Sequence, residues 1–334
     1  MDIKYSVLDL ATVIQGHTPA DTFPRSLELA KTAEKLGYSR FWLAEHHNMI
    51  SVASSATAVL IGYIAGGTST IRVGSGGIML PNHAPLIVAE QFGTLASLYP
   101  NRIDLGLGRA PGSDQLTSLE IRGQNYYQQH NFPADIQKLQ TLFSAENAGA
   151  KVRAIPGEGL DVPIWILGSS TDSARVAAAL GLPYAFASHF APAHFLEAIE
   201  IYRRLFRPSK HLAEPYVMAC VNVVAADTDH EAEKLATSLK RLFIGVITGQ
   251  RKLLQPPTDD MTWDPLEEQA VNQMLAYSFI GGKEKLKTKL DTFVEHTGVN
   301  EIMATSHIFD QTARLHSYEL FSEVIGELNK VGVE

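Results

Sequence analysis

Ile71-Arg72-Val73-Gly74-Ser75 is a short apolar run; a helical pattern over 85–99 follows it, and then Arg102-Ile103-Asp104-Leu105-Gly106-Leu107, another such run. Most runs of this kind along the chain are continuous rather than alternating, which is how strands covered on both faces read. A buried strand, a crossover helix and a second buried strand make one parallel βα unit. The same alternation extends outward in both directions. Runs at 5–10 and 40–44 precede this unit, and runs at 164–167, 184–187, 216–225 and 301–305 follow it. Helical patterns separate them. Leu29, Ala30, Ala33 and Leu36 mark one helix face, with Gly37 at the stop position, and further patterns cover 53–65, 173–181, 193–206, 230–247 and 313–330. Eight strand–helix units predict an α/β fold, a closed (β/α)8 TIM barrel. The 334 residues exceed the roughly 250 of a bare barrel, so loop insertions are expected at 111–158, after strand 4, and at 249–298, after strand 7. Gln255-Pro256-Pro257-Thr258-Asp259-Asp260 in the second is too turn-rich for helix or central strand. No repeat, low-complexity tract or linker interrupts the pattern, so residues 1–334 read as one domain.

Composition narrows the function classes. With 28 Lys+Arg against 36 Asp+Glu the formal charge is −8, opposite to the clustered basic surplus that phosphate-backbone binding needs, so no nucleic-acid partner is expected. Hydrophobic residues make up 45%, enough for a sizeable core. A lone cysteine, Cys220, excludes an intrachain disulfide framework, and it lies mid-strand as a small buried hydrophobe. The start, Met-Asp-Ile-Lys-Tyr, lacks a secretory pattern, and no uncharged apolar run approaches a membrane span; a cytoplasmic protein is expected.

In such a barrel the chemistry lies at the C-terminal ends of the strands. Polar and glycine residues follow the runs there: Glu45-His46-His47-Asn48, Gly74-Ser75-Gly76-Gly77, Gly106-Leu107-Gly108-Arg109-Ala110-Pro111, Gly168-Ser169-Ser170-Thr171-Asp172-Ser173, Ser188-His189 and Ser306-His307. The stretch from Gly168 to Ser173 opens a helix, whose free N–H groups and dipole favour an anion. Ser169, Ser170 and Ser173 add hydroxyls, and Arg109, one strand earlier, offers a fork of donors to the same anion. An ordinary N-cap at Ser170 or Thr171 is the other reading of that stretch. Pro111 at the third glycine position argues against a dinucleotide fingerprint; the glycines instead let backbone approach a flat ligand, or simply make turns. His46 and His47 point to opposite faces of an extended strand, so one enters the barrel mouth, and their spacing suits no catalytic metal. His189 and His307 read as pocket wall or satisfied core histidines.

These residues carry a resemblance. Phe41-Trp42-Leu43-Ala44-Glu45-His46-His47, Val73-Gly74-Ser75-Gly76-Gly77-Ile78-Met79-Leu80-Pro81, Arg102 through Arg109, and Trp165-Ile166-Leu167-Gly168-Ser169-Ser170 continuing to Ala179-Leu180-Gly181-Leu182-Pro183 resemble the bacterial luciferase-like, flavin-dependent monooxygenases along nearly the whole chain. The Ala-Glu-His-His-Asn and Gly-Leu-Gly-Arg-Ala-Pro-Gly-Ser-Asp segments are similar to one subgroup of luciferase-like oxidoreductases. The resemblance implies a barrel binding FMN. Arg109, Ser170 and Ser173 stand at the positions that hold the flavin phosphate, with Leu167, Gly168 and Ser169 beside them, and Gly76-Gly77 at the place of a non-proline cis peptide under the isoalloxazine ring. His46 matches the family's active-site histidine. Glu45 is expected to line the pocket or orient His46, although strand alternation points it the other way.

Gly108 stands where luciferase has a reactive cysteine and Ser169 where it has a glutamate, and 111–158 shows no counterpart of the aldehyde-substrate loop. The implied reaction uses reduced FMN and O2, through a flavin hydroperoxide, to oxidise a small organic substrate. No nicotinamide fingerprint is present, so a separate flavin reductase is expected to supply reduced FMN. A homodimer is also implied. The alternatives are a deazaflavin (F420)-dependent hydride-transferring oxidoreductase and a non-catalytic flavin-binding protein.

Overall fold

A computed structural model describes residues 2–128 and 130–331; Met1, Gln129 and residues 332–334 of the expected 1–334 span lie outside the described residues. The first half of the chain alternates β1 (Lys4–Asp9), α1 (Pro19–Lys35), β2 (Arg40–Leu43), α2 (Thr57–Gly67), β3 (Arg72–Met79), α3 (Pro85–Leu98) and β4 (Ile103–Gly108). Two helices, α4 (Gln115–Arg122) and α5 (Phe132–Phe143), then intervene before β5 (Ile164–Gly168), α6 (Thr171–Leu180), β6 (Tyr184–Phe186), α7 (Phe195–Leu205), β7 (Val217–Ala225) and α8 (Asp229–Ile247). The chain closes with α9 (Pro265–Met274), β8 (Ser278–Gly281), α10 (Lys283–Thr297), β9 (Glu301–Thr305) and α11 (Gln311–Val331).

All pairings between these strands are parallel, in the order β6-β5-β4-β3-β2-β1-β9-β7, and β6 also pairs with β7, which closes eight staves into a (β/α)8 barrel. Each expected run supplies one stave. Local signals set the connecting helices: at α1, Thr18 and Asp21 form a reciprocal capping box, and at the end of α6, Gly181 takes the left-handed φ of +61° that a side chain would resist. Leu29, Ala30 and Ala33 are completely buried, as the face reading requires. Among the described residues, no helix is long and apolar enough to cross a membrane.

Three details differ from the sequence expectation. The insertion at 111–158 carries α4 and α5, and that at 249–298 carries α9, α10 and a ninth strand. This strand, β8, pairs with β7 only over its upper half, on the edge opposite β9: Asn222 faces Thr305 of β9 on one side and Ser278 of β8 on the other. Its four residues, Ser-Phe-Ile-Gly, are too few to show a period. Third, β3 continues past Ser75 to Met79, with its register against β4 shifting between Ser75 and Ile78, where the Gly76–Gly77 peptide is cis.

Candidate functional site

Strand alternation sorts the barrel interior into layers. At the N-terminal end Arg40 is buried between two acids: its Nε lies 2.8 Å from Glu301 Oε1 and its Nη1 2.8 Å from Asp104 Oδ2. Trp42 Nε1 donates to Asp104, Tyr216 Oη donates to Glu301, and Ser6 Oγ donates to Glu301. Burial opposes the charge on Arg40, but Glu301 and Asp104 outweigh it and raise its pKa. Above this ionic floor sits a dry layer of Leu8, Trp42, Trp165, Met218, Cys220 and Met303. Cys220 is buried and burial pushes its thiol up, so it behaves as an inert hydrophobe. The floor closes one end, leaving the other for chemistry.

At that end the inward series Arg40, Trp42, Ala44 continues to His46. Its Nδ1 is buried without a hydrogen-bond partner among the described residues. Burial lowers its pKa, the Arg251 guanidinium adds to this, and the imidazole is neutral near pH 7. His189 and His307 face the same region. Burial pushes His189 down to about 3, helped by the proximity of His307 and His46, and His307 down to about 4, helped by Arg314. His189 Nδ1 likewise has no partner among the described residues, whereas His307 Nδ1 lies 3.5 Å from Thr12 Oγ1. His189 is therefore not a satisfied core histidine. Asn222, one layer above Cys220 on β7, donates to His189 O at 2.7 Å while its own Oδ1 has no partner among the described residues. Three neutral imidazoles and one amide thus supply the polar groups here.

Glu45 does not hold His46. Its buried carboxylate lies 2.8 Å from His47 Nε2 and 2.9 Å from His83 Nε2, and accepts from Met79 N at 2.9 Å and Asn82 Nδ2 at 3.3 Å. Burial would raise its pKa, but the hydrogen bonds of His47, His83 and Met79 N–H bring it down to about 2. The outward parity of Glu45 makes it a clamp between β2 and the loop after β3. The sequence does not point to Asn82 and His83 as its partners, because they reach Glu45 only when β3 runs on past the expected end at Ser75 to Met79.

The glycines of β3 and β4 bring backbone against backbone. Ser75 Oγ donates to Gly106 O at 2.8 Å and accepts from Gly106 N at 3.0 Å. A Cβ on Gly77 would stand 2.7 Å from Gly106 O and 3.2 Å from Leu167, and one on Gly76 would stand 2.7 Å from Leu8. No side chain fits at either position without moving the neighbouring strand or the lining of the barrel. The result is a stretch of bare backbone flanked by the Leu167 side chain.

The start of α6 lies at the end of the neighbouring strand β5. Ser170 is its N-cap residue, extended at φ −146°, yet its side chain makes no capping hydrogen bond among the described residues. The ordinary-cap reading therefore does not hold at Ser170, and the first-turn N–H groups remain available to an anion. Ser169 is exposed. Ser173 is otherwise employed: its Oγ donates to Ser170 O at 2.7 Å and lies 2.9 Å from Tyr184 Oη, and it abuts the place where a Cβ on Gly168 would be. Its hydroxyl shapes the helix start from within. Arg109 reaches across from β4, where its Nη2 lies 3.3 Å from Asp172 Oδ2 in the first turn of α6.

The fold is thus a closed parallel barrel whose C-terminal rim brings an uncapped helix start beside an arginine, a set of donors that suits an anion. The family model for luciferase-like monooxygenases matches residues 3–301, and the chain belongs to that family. It is 50% identical over 328 residues to a luciferase-like monooxygenase of Escherichia coli K12, covering 98% of each chain, and 53% identical over 326 residues to protein YvbT of Bacillus subtilis, covering 97% of each. An N-acetyl-S-alkylcysteine monooxygenase of Bacillus subtilis is 32% identical, covering 97% of this chain and 98% of the relative.

Among solved structures, apo-MsnO8 superposes with a TM-score of 0.89 at 36% identity, covering 97% and 98% of the two chains. Two others share the fold. The oxygenating constituent of 3,6-diketocamphane monooxygenase of Pseudomonas putida, solved with FMN, has a TM-score of 0.71 at 17% identity, covering 96% of each chain. An F420-dependent secondary alcohol dehydrogenase has a TM-score of 0.68 at 15% identity, covering 97% and 98%.

Proposed function

We propose that the chain is a flavin-dependent monooxygenase that uses reduced FMN, delivered by a separate reductase, and O2 to oxygenate a small organic substrate. The observation that carries this reading is the uncapped start of α6 beside Arg109, which suits a phosphate monoester. In this reading the N–H groups of the first turn, the Ser169 and Ser170 hydroxyls and Arg109 hold the phosphate. Ser173 keeps the helix start in shape through Ser170 O and Tyr184. The bare backbone at Gly76, Gly77 and Gly106, with Leu167, supports the flat ring. Bound FMN supplies the electron-transfer and oxygen chemistry. His46, neutral and with a free Nδ1, takes or gives a proton at the ring's edge. Glu45 acts at one remove by fixing the loop after β3.

The test is rapid mixing of the anaerobic protein carrying photoreduced FMN with O2, followed by flavin absorbance. Reoxidation should follow a course distinct from that of free reduced FMN, and His46→Ala should change it. Identical traces for free flavin, wild type and His46→Ala would overturn the reading. A parallel titration with F420 separates the hydride-transfer alternative, which requires F420 to bind more tightly than FMN.

A further inference from the structure

Beside the rim, between the ends of β3 and β4 and the first insertion, lies a cavity of about 550 Å3 whose lining includes Arg109, Arg122, Tyr126, His130, Ser113 and Ser118. Its size is that of a small-molecule site. In a chain of formal charge −8, this lining holds no aspartate or glutamate; Arg109 is already paired with Asp172 at its edge, which leaves Arg122 and His130 as the cavity's own basic groups.

Arg122 is set in place from behind. Its Nε donates to Asn82 Oδ1 at 3.2 Å, and Asn82 Nδ2 in turn donates to Pro111 O at 2.8 Å and to the Glu45 carboxylate at 3.3 Å. The Tyr126 ring lies 6.0 Å from its guanidinium carbon. Both terminal nitrogens of Arg122 make no hydrogen bond among the described residues, so an oriented planar fork is left for a ligand. Such a fork matches the two oxygens of a carboxylate.

The cavity also touches Pro81 and Pro111, just past the strands assigned to the flavin ring. Pro81 and Pro111 thus set the cavity beside the strand ends on which the flavin reading places the ring. We infer that this cavity takes the carboxylate of an anionic organic substrate, with Arg122 as its specificity-determining residue. The inference rests on the flavin reading for what happens at the other end of that substrate, but the anchoring is separately measurable.

The test is a fluorine NMR titration of the FMN-loaded protein with para-trifluoromethylbenzoate and, as its neutral partner, para-trifluoromethylbenzamide. The benzoate should bind at least about tenfold more tightly than the benzamide, as expected when a charge-assisted pair is lost. Arg122→Gln should abolish the preference and Arg122→Lys should keep part of it, with FMN affinity unchanged in both. Equal binding of the two probes, no binding of the benzoate, or a preference that survives Arg122→Gln would overturn the inference. Weaker FMN binding in both variants would assign the cavity to the flavin and overturn it equally. If the chain binds no FMN, the flavin reading fails on its own, and the same titration on the flavin-free chain still decides the anchor.

Discussion

Replacing Arg109 with alanine should weaken FMN binding about tenfold. Charge-assisted hydrogen bonds contribute about 1.5–3 kcal/mol, and the geometry here points to the lower end. The Arg109 side chain is 54% exposed and its Nη2 already lies 3.3 Å from Asp172 Oδ2, so water and a competing carboxylate both dilute its hold on a phosphate. About 1.4 kcal/mol corresponds to the tenfold loss. The same contact predicts an opposite change. Asp172→Asn removes a negative charge from the edge of the anion site and frees the arginine fork, so it should tighten FMN binding by a factor of about three, an effect of the size seen for charges at a helix N-terminus.

Added to Arg109→Ala, Asp172→Asn should gain less than it does alone, because part of its benefit passes through the arginine. Quenching of flavin fluorescence on titration with protein gives each dissociation constant. Repeating the titrations at high salt should shrink every difference, because the pair is exposed and screened. An unchanged constant for Arg109→Ala, or weaker binding in Asp172→Asn, would refute the phosphate assignment.

At the opposite end of the barrel, Arg40→Met strands the buried Glu301 without its cation, and breaking such a pair costs about 3–5 kcal/mol. Urea unfolding followed by circular dichroism and tryptophan fluorescence should show that loss, and Arg40→Met combined with Glu301→Leu should recover most of it; strictly additive losses would contradict the reasoning. The buried histidines make stability depend on pH. Unfolded imidazoles take up protons near pH 6.5, while the folded chain holds His307 neutral to about 4 and His189 to about 3. The unfolded state therefore binds more protons below about pH 6.5, and stability should fall steadily as pH drops from there towards 4. Urea midpoints for the His189→Gln, His307→Gln double variant should fall less steeply over that window, and an unchanged slope would sink the assignment.

How far the sequence could be read follows the range of the interactions. Strands such as 164–167 and 216–225 declare themselves through continuous apolar runs, and the rule that barrel chemistry follows strand ends leads to the segments that hold the candidates His46, Arg109 and Ser169–Ser170. Alternation shows that His46 and His47 face opposite ways, but it is the fold that turns His46 inward. What escaped depends on contacts made far along the chain. Whether Ser173 faces an anion or its own helix is decided by Tyr184, and whether His189 is satisfied is decided by groups on other staves. The role of Glu45 waits on where β3 ends, because Asn82 and His83 reach it only when the strand runs to Met79. The insertion at 249–298 hid a four-residue strand whose pairing exists only against the upper half of β7.

The central claim is that a phosphorylated flavin sits with its phosphate at the start of α6 and its ring over Gly76-Gly77 beside His46. The most direct test is a crystal structure of the chain with FMN bound. The account predicts phosphate density within hydrogen-bonding distance of the first-turn N–H groups of α6 and of Arg109, with the ring packed on the β3–β4 glycines. Phosphate density elsewhere, or a ring lying away from those glycines and from His46, would contradict it.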